Sequence, residues 1–115
     1  MAGKTYFSFS ISDNMFEGDC EIKRRELTPD QARKLITPAV ESIINPWHES
    51  TIEVMRHRYG IELPVPGFPP EVRLKSGDRV IVMGVRNLPR LFQRHQYTDE
   101  EIANAEFSFS LYTVS

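Results

Sequence analysis

Cysteine is almost missing from this sequence: 115 residues contain one, Cys20. A lone thiol excludes an internal disulfide and any thiolate metal cage drawn from one chain, and it suits a reducing compartment. Long apolar runs are missing too. None approaches the ~20 residues that a transmembrane helix requires, so no membrane partner is expected. The opening Met1-Ala2-Gly3-Lys4 has no apolar stretch of the kind a signal peptide carries, and a cytoplasmic location is expected. There is no basic excess either. Fourteen Lys and Arg against 16 Asp and Glu leave a net charge of −2, which disfavours DNA binding through bulk charge. The positive charge that is present comes mostly from arginine, ten against four lysines. Guanidinium groups match phosphate oxygens in pairs, so an acidic chain can still hold a small anion locally.

The length fits one domain, residues 1–115, with an ordinary globular balance of 40% apolar and 26% charged residues. The tetrapeptide Phe-Ser-Phe-Ser occurs near each end. Phe7, Phe9 and Ile11 alternate with Ser8, Ser10 and Ser12, as Phe107, Phe109 and Leu111 do with Ser108, Ser110 and Tyr112. A period of two predicts strands with aromatics on a buried face and the small hydroxyls on the other. Residues 80–83 are continuously apolar, which predicts a strand covered on both faces. Val72 and Leu74 alternate with Arg73 and Lys75, which also reads as a strand, and weaker strand candidates lie at 21–26 and 40–44.

Three helices are signalled. Thr28-Pro29-Asp30-Gln31 and Thr98-Asp99-Glu100-Glu101 are capping boxes, the first with proline at the first helical position. Between them a helix is predicted over about 48–59, with Ile52, Met55 and Tyr59 on one stripe and Gly60 closing it. Asn45-Pro46 offers an earlier start for the same helix. The expected architecture is α/β (α+β): one mixed β-sheet flanked by helices.

The histidines differ in promise. His57 sits between Arg56 and Arg58 and fits the polar end of a helix, where cations suit the dipole. His95 has no metal-ligating partner at a recognisable spacing. His48-Glu49 is not a zinc-protease motif, because position 52 is Ile where the second His would stand. No metal and no cofactor are therefore expected. Gly3-Lys4-Thr5 lacks the glycine-rich lead of a phosphate-binding loop.

Four segments in order carry a resemblance. Ser12-Asp13-Asn14-Met15 closes the first strand, and His48-Glu49-Ser50-Thr51-Ile52 opens the long helix. Lys75-Ser76-Gly77-Asp78 leads into the buried strand, and an arginine-bearing segment from Arg86 to Arg90-Leu91 follows it. From Tyr6 to Ser115 the chain resembles a small protein family of archaeal viruses and phages, which includes the viral ring nucleases. Those members are anti-CRISPR proteins that cleave cyclic tetra-adenylate, the messenger of type III systems. The resemblance implies a homodimer with its ligand site on the two-fold axis, acting in the host-cell cytoplasm on a small cyclic RNA. It makes His48 the catalytic histidine. Arg90, with Leu91 after it, is the first choice for the catalytic arginine, and Arg86 the second. Ser12, Asn14, Ser50 and Thr51 match ligand-binding positions. Two positions depart from the pattern: Trp47 stands where members often have glycine, and Gln93 where some enzymes have glutamate, in a segment several residues longer.

Such a residue set suits cleavage of RNA without a metal. RNA carries its own nucleophile in the 2′-hydroxyl, so the protein must align it, stabilise charge on the phosphorane and protonate the departing 5′-oxygen. His48 is the expected general acid and Arg90 the clamp on the non-bridging oxygens. The amides of Glu49 and Ser50, with the hydroxyls of Ser50 and Thr51, make an anion nest at the helix start. The expected products are linear oligoadenylates ending in a 2′,3′-cyclic phosphate. The alternative is a non-catalytic viral or phage protein of the same fold, which binds a host protein or a nucleic acid or sequesters a cyclic nucleotide. A binding protein would tolerate His48→Ala, whereas the enzyme would lose turnover.

Overall fold

The computed structural model describes residues 3–68, 70–87 and 97–115. Five strands form one mixed sheet: β1 (Thr5–Ser8), β2 (Ile22–Leu27), β3 (Glu41–Ser42), β4 (Arg79–Arg86) and β5 (Glu106–Val114). Their order is β2-β5-β4-β1-β3. β1 runs parallel to β4, from Thr5↔Arg79 to Ser8↔Val82, and parallel to β3 through Tyr6↔Glu41 and Phe7↔Ser42. β5 is antiparallel to both β4 and β2. Three helices complete the fold: α1 (Pro29–Leu35), α2 (Glu49–His57) and α3 (Asp99–Asn104).

Alternating burial along the strands divides the core between the two faces of the sheet. On one, Phe7, Ile81, Met83, Phe109 and Leu111 pack with Ala32 of α1 and Ile52, Val54 and Met55 of α2, and Ile102 of α3 joins them. This is the helical face. On the other, Tyr6, Ile43, Val80, Val82 and Val114 are covered by irregular chain, namely Ile11, Met15 and Phe16 from one loop and Val72 and Leu74 from another. The two loops are stitched together where the Leu74 amide donates to the Met15 carbonyl at 2.6 Å. β4 is thus apolar on successive residues because each neighbour faces a different core, as the 80–83 pattern predicted.

Both capping boxes form. Thr28 and Gln31 exchange side-chain-to-backbone bonds at 3.1 and 2.9 Å, as do Thr98 and Glu101 at 3.2 and 2.9 Å. Gly60 ends α2 with φ +66°, which brings the Ile61 amide to the Met55 carbonyl at 3.1 Å. Other expectations change. The first strand stops at Ser8, and Phe9 leaves the sheet to pack on the helical core. Ser8 and Ser110 are buried, because the two irregular loops roof the face that the alternation assigned to solvent. Ser8 satisfies its hydroxyl locally by donating to the Ser10 carbonyl at 2.8 Å. Residues 72–75 make a single bridge, Phe16↔Leu74, rather than a strand, and 40–44 shrink to two paired residues.

The end of the sheet where β1 and β4 begin is clasped by Asp78. Its buried carboxylate accepts from the Lys4 amide at 2.9 Å and the Lys75 amide at 2.8 Å. Gly77, at φ +91°, and Gly3 meet closely there; a Cβ on Gly3 would fall 2.2 Å from the Gly77 carbonyl oxygen. Glu41 bonds the Lys4 ammonium at 3.3 Å and raises its pKa. The Tyr6 phenol is also pushed up, by burial first and then by the negative charge of Asp78 and Glu41. That end is closed and structural.

Candidate active site

β1, β3 and β4 are parallel, so their C-terminal ends share one edge of the sheet. Loops beyond such ends are where α/β sheets usually receive ligands. β1 leads to Ser12 and Asn14, β3 to His48 at the start of α2, and β4 to Arg86 at its last position. Residues 36 positions apart, Ser12 and His48, thereby issue from the same end of the molecule as Arg86. Arg90 lies outside the described residues.

His48 is the N-cap residue of α2, with φ −85° and ψ 56°, and its side chain makes no capping hydrogen bond. Asn45 prepares the turn before it. Its Oδ1 accepts the Trp47 amide at 2.9 Å and its carbonyl accepts the His48 amide at 3.1 Å, so Asn45-Pro46 forms a turn rather than an earlier helical start. The imidazole is solvent-exposed and lies against Phe9, with ring centroids 6.2 Å apart and planes 21° from parallel. Phe9 in turn meets Phe7 edge-on at 6.1 Å, and Phe7 is completely buried. A file of rings therefore runs from the core to the imidazole. It fixes the ring's flank and leaves both nitrogens without a hydrogen bond to any described residue.

The first amides of a helix have no intrahelical partner, and in α2 those of Ser50 and Thr51 precede the first helical bond. Ile52 makes the first helical bond, to the His48 carbonyl at 3.0 Å. Ser50 is half-buried and its Oγ accepts the Tyr97 amide at 3.1 Å, which ties the segment entering α3 to the start of α2. Among the described residues its hydroxyl proton has no acceptor. Thr51 is buried, at 8% exposure, so its side chain belongs to the interior rather than to an exposed pair with Ser50.

Ser12 and Asn14 are exposed on a short 3₁₀ turn, Asp13–Met15. They line a cleft of about 330 Å³ with Met15, Pro70, Glu71, Val72 and Arg73. His48 and Arg86 do not line it. The structure thus brings Ser12 and Asn14 together in one concavity, and His48 with Ser50 at the start of α2. Glu71 and Arg73 in the cleft were not anticipated, because 72–75 reads as an alternating strand. Arg73 is paired with Glu17 at 3.8 Å. Arg86 is exposed opposite Glu106, and Asn87 beyond it takes φ +64°, turning the chain out of the sheet. Among the described residues no group of three His, Cys, Asp or Glu is placed to hold a metal ion, and no helix is long and apolar enough to cross a membrane.

A family model described as STIV B116-like matches residues 7–109. The chain belongs to the STIV B116-like family. This is a viral protein family, and the match runs from Phe7 within β1 to Phe109 within β5, taking in Ser12, Asn14, His48, Ser50, Thr51 and Arg86. Among solved structures, the STIV B116-like fold is seen in B116 of Sulfolobus turreted icosahedral virus, with a TM-score of 0.68. The alignment covers 96% of this chain and 99% of that one at 22% identity, a level at which the likeness establishes the fold. No curated protein sequence matches this one.

Proposed function

We propose that this STIV B116-like protein is a metal-independent ring nuclease that opens cyclic tetra-adenylate in the host-cell cytoplasm and so suppresses type III CRISPR signalling. The observation that carries the reading is the state of His48. Its imidazole is exposed, unbonded at both nitrogens among the described residues and braced by Phe9, at the edge where the parallel strands end. A structural histidine would be expected to spend its nitrogens on backbone groups, and among the described residues this one does not.

In the proposed reaction the 2′-hydroxyl of one adenosine attacks the adjacent phosphorus. The O2′–P bond forms as the P–O5′ bond breaks, and the hydroxyl proton passes to solvent. His48, as imidazolium, donates its proton to the departing O5′. Arg90 binds the non-bridging oxygens as the phosphorane gains charge, and the Ser50 amide supports the phosphate at the positive end of α2. The product is a linear oligoadenylate with a 2′,3′-cyclic phosphate at one end and a 5′-hydroxyl at the other. Arg90→Ala is expected to slow turnover about 10²–10³-fold. Arg86→Ala is expected to act more weakly, and the reverse ranking in single-turnover assays would exchange their roles.

The ring itself argues for two subunits. It repeats one phosphate four times, and a two-fold dimer would present two equivalent His48 and Arg90 sets to it. A protomer of net charge −2 holds so anionic a ligand only if its arginines converge there. Size-exclusion chromatography at low protein concentration should give a dimer; a clean monomer that still cuts the ring would remove this part of the reading. Conversion of labelled cyclic tetra-adenylate in EDTA tests the function as a whole.

A further inference from the structure

Trp47 is the only tryptophan in the chain, and it is 70% exposed. An indole left in water forgoes much of the largest apolar burial any side chain offers, so its exposure calls for an explanation. Loose chain does not supply one. The Trp47 amide is bonded to Asn45 Oδ1 and the next amide, that of His48, to the Asn45 carbonyl, with Pro46 fixing the backbone between them. The residue is thus anchored at its base and exposed, one Cα step or about 3.8 Å along the chain from His48. The imidazole already has Phe9 on its flank, whereas no ring contact to Trp47 occurs among the described residues.

We infer that Trp47 is a base-stacking platform: its indole face receives the adenine of the nucleotide whose phosphate lies at His48. This rests on the ring-nuclease reading and extends it from the phosphate to the base. The chemistry fits at the scale of one nucleotide. A purine joined through ribose to a phosphate needs a flat π surface beside its anion site, and adjacent side chains here offer the surface and the proton donor. Base–aromatic stacking is sequence-tolerant and is worth about 1–3 kcal/mol per base. Trp47 is therefore a positioning residue: it holds the nucleotide in line and does not touch the reacting atoms.

The single tryptophan makes the test direct. In His48→Ala protein, in which turnover is slowed by orders of magnitude, titration with cyclic tetra-adenylate should quench the Trp47 fluorescence to saturation. Trp47→Ala should raise KM for ring opening about 10–100-fold with kcat within a few fold, and Trp47→Phe should recover most of the loss. Sedimentation of Trp47→Ala separates the other occupant, a second copy of this chain. Loss of the dimer would make the indole a subunit contact and overturn the proposal. An unchanged KM with unquenched fluorescence would overturn it as well, while ring cleavage by the same wild-type protein would leave the nuclease reading standing. If the wild type neither binds nor cuts the ring, both fail together.

Discussion

His48→Ala is expected to slow opening of cyclic tetra-adenylate by about 10²–10⁴-fold, the usual worth of a positioned proton donor. Binding should change only a few fold, because the α2 amides and the arginines hold the phosphates without the imidazole. The fold should be intact too, since the ring is exposed and makes no capping bond. That separation of turnover from affinity distinguishes the catalyst from its rivals. A protein that sequesters the ring would bind equally before and after the substitution, with no turnover to lose. One that binds a host protein would respond to neither measurement. Small exogenous imidazole restoring part of the lost rate would identify the missing group as the proton donor.

Phe7→Ala is expected to destabilise the protein by about 3–5 kcal/mol, the cost of emptying a phenylalanine site in a packed core. Phe7 is completely buried on β1, the strand flanked by β3 and β4, and the helical core closes around it. A domain of this size has about 5–15 kcal/mol in total, so much of the margin goes, and the melting temperature should fall by tens of degrees. Equilibrium urea unfolding gives the value; a loss under about 1 kcal/mol would mean that the site collapses around the gap. Phe7 also carries Phe9, and Phe9 carries His48. Phe7→Leu keeps most of the volume, so any fall in turnover in that variant measures how far the ring file positions the imidazole rather than how stable the fold is.

Local patterns were legible in the sequence, and long-range ones were not. The two capping boxes each depend on four consecutive residues, and both helices begin where Thr28 and Thr98 indicate. The apolar run at 80–83 reports its own double burial. By contrast, the two-residue β3 exists only because β1 pairs with it, and no propensity within Glu41–Ser42 announces that. The burial of Ser8 and Ser110 depends on loops around residues 11–16 and 72–74, which the alternation cannot foresee. Asp78 reads only as part of the segment that leads into the buried strand. Its partnership with the Lys4 amide spans 74 positions.

The site divides the same way. His48 at a helix start was legible because the Asn45-Pro46 turn and the stripe of Ile52 and Met55 bracket it. Its support by Phe9 links residues 39 positions apart and appears only when β1 and β3 lie side by side. The sequence pairs the hydroxyls of Thr51 and Ser50, but a helix turns about 100° per residue, and here that step carries position 51 from the outer face to the inner one. Ser50 stays near the surface and Thr51 turns inward. The cleft beside Ser12 and Asn14 depends on Glu71 and Arg73 arriving from a loop that pairs with the chain through one bridge.

Product analysis after incubating the protein with labelled cyclic tetra-adenylate and excess EDTA tests the central claim most directly. The account predicts linear adenylates bearing a 2′,3′-cyclic phosphate, formed by the wild type and all but lost with His48→Ala. An intact ring at micromolar protein, or cutting that survives the loss of the imidazole, would contradict it.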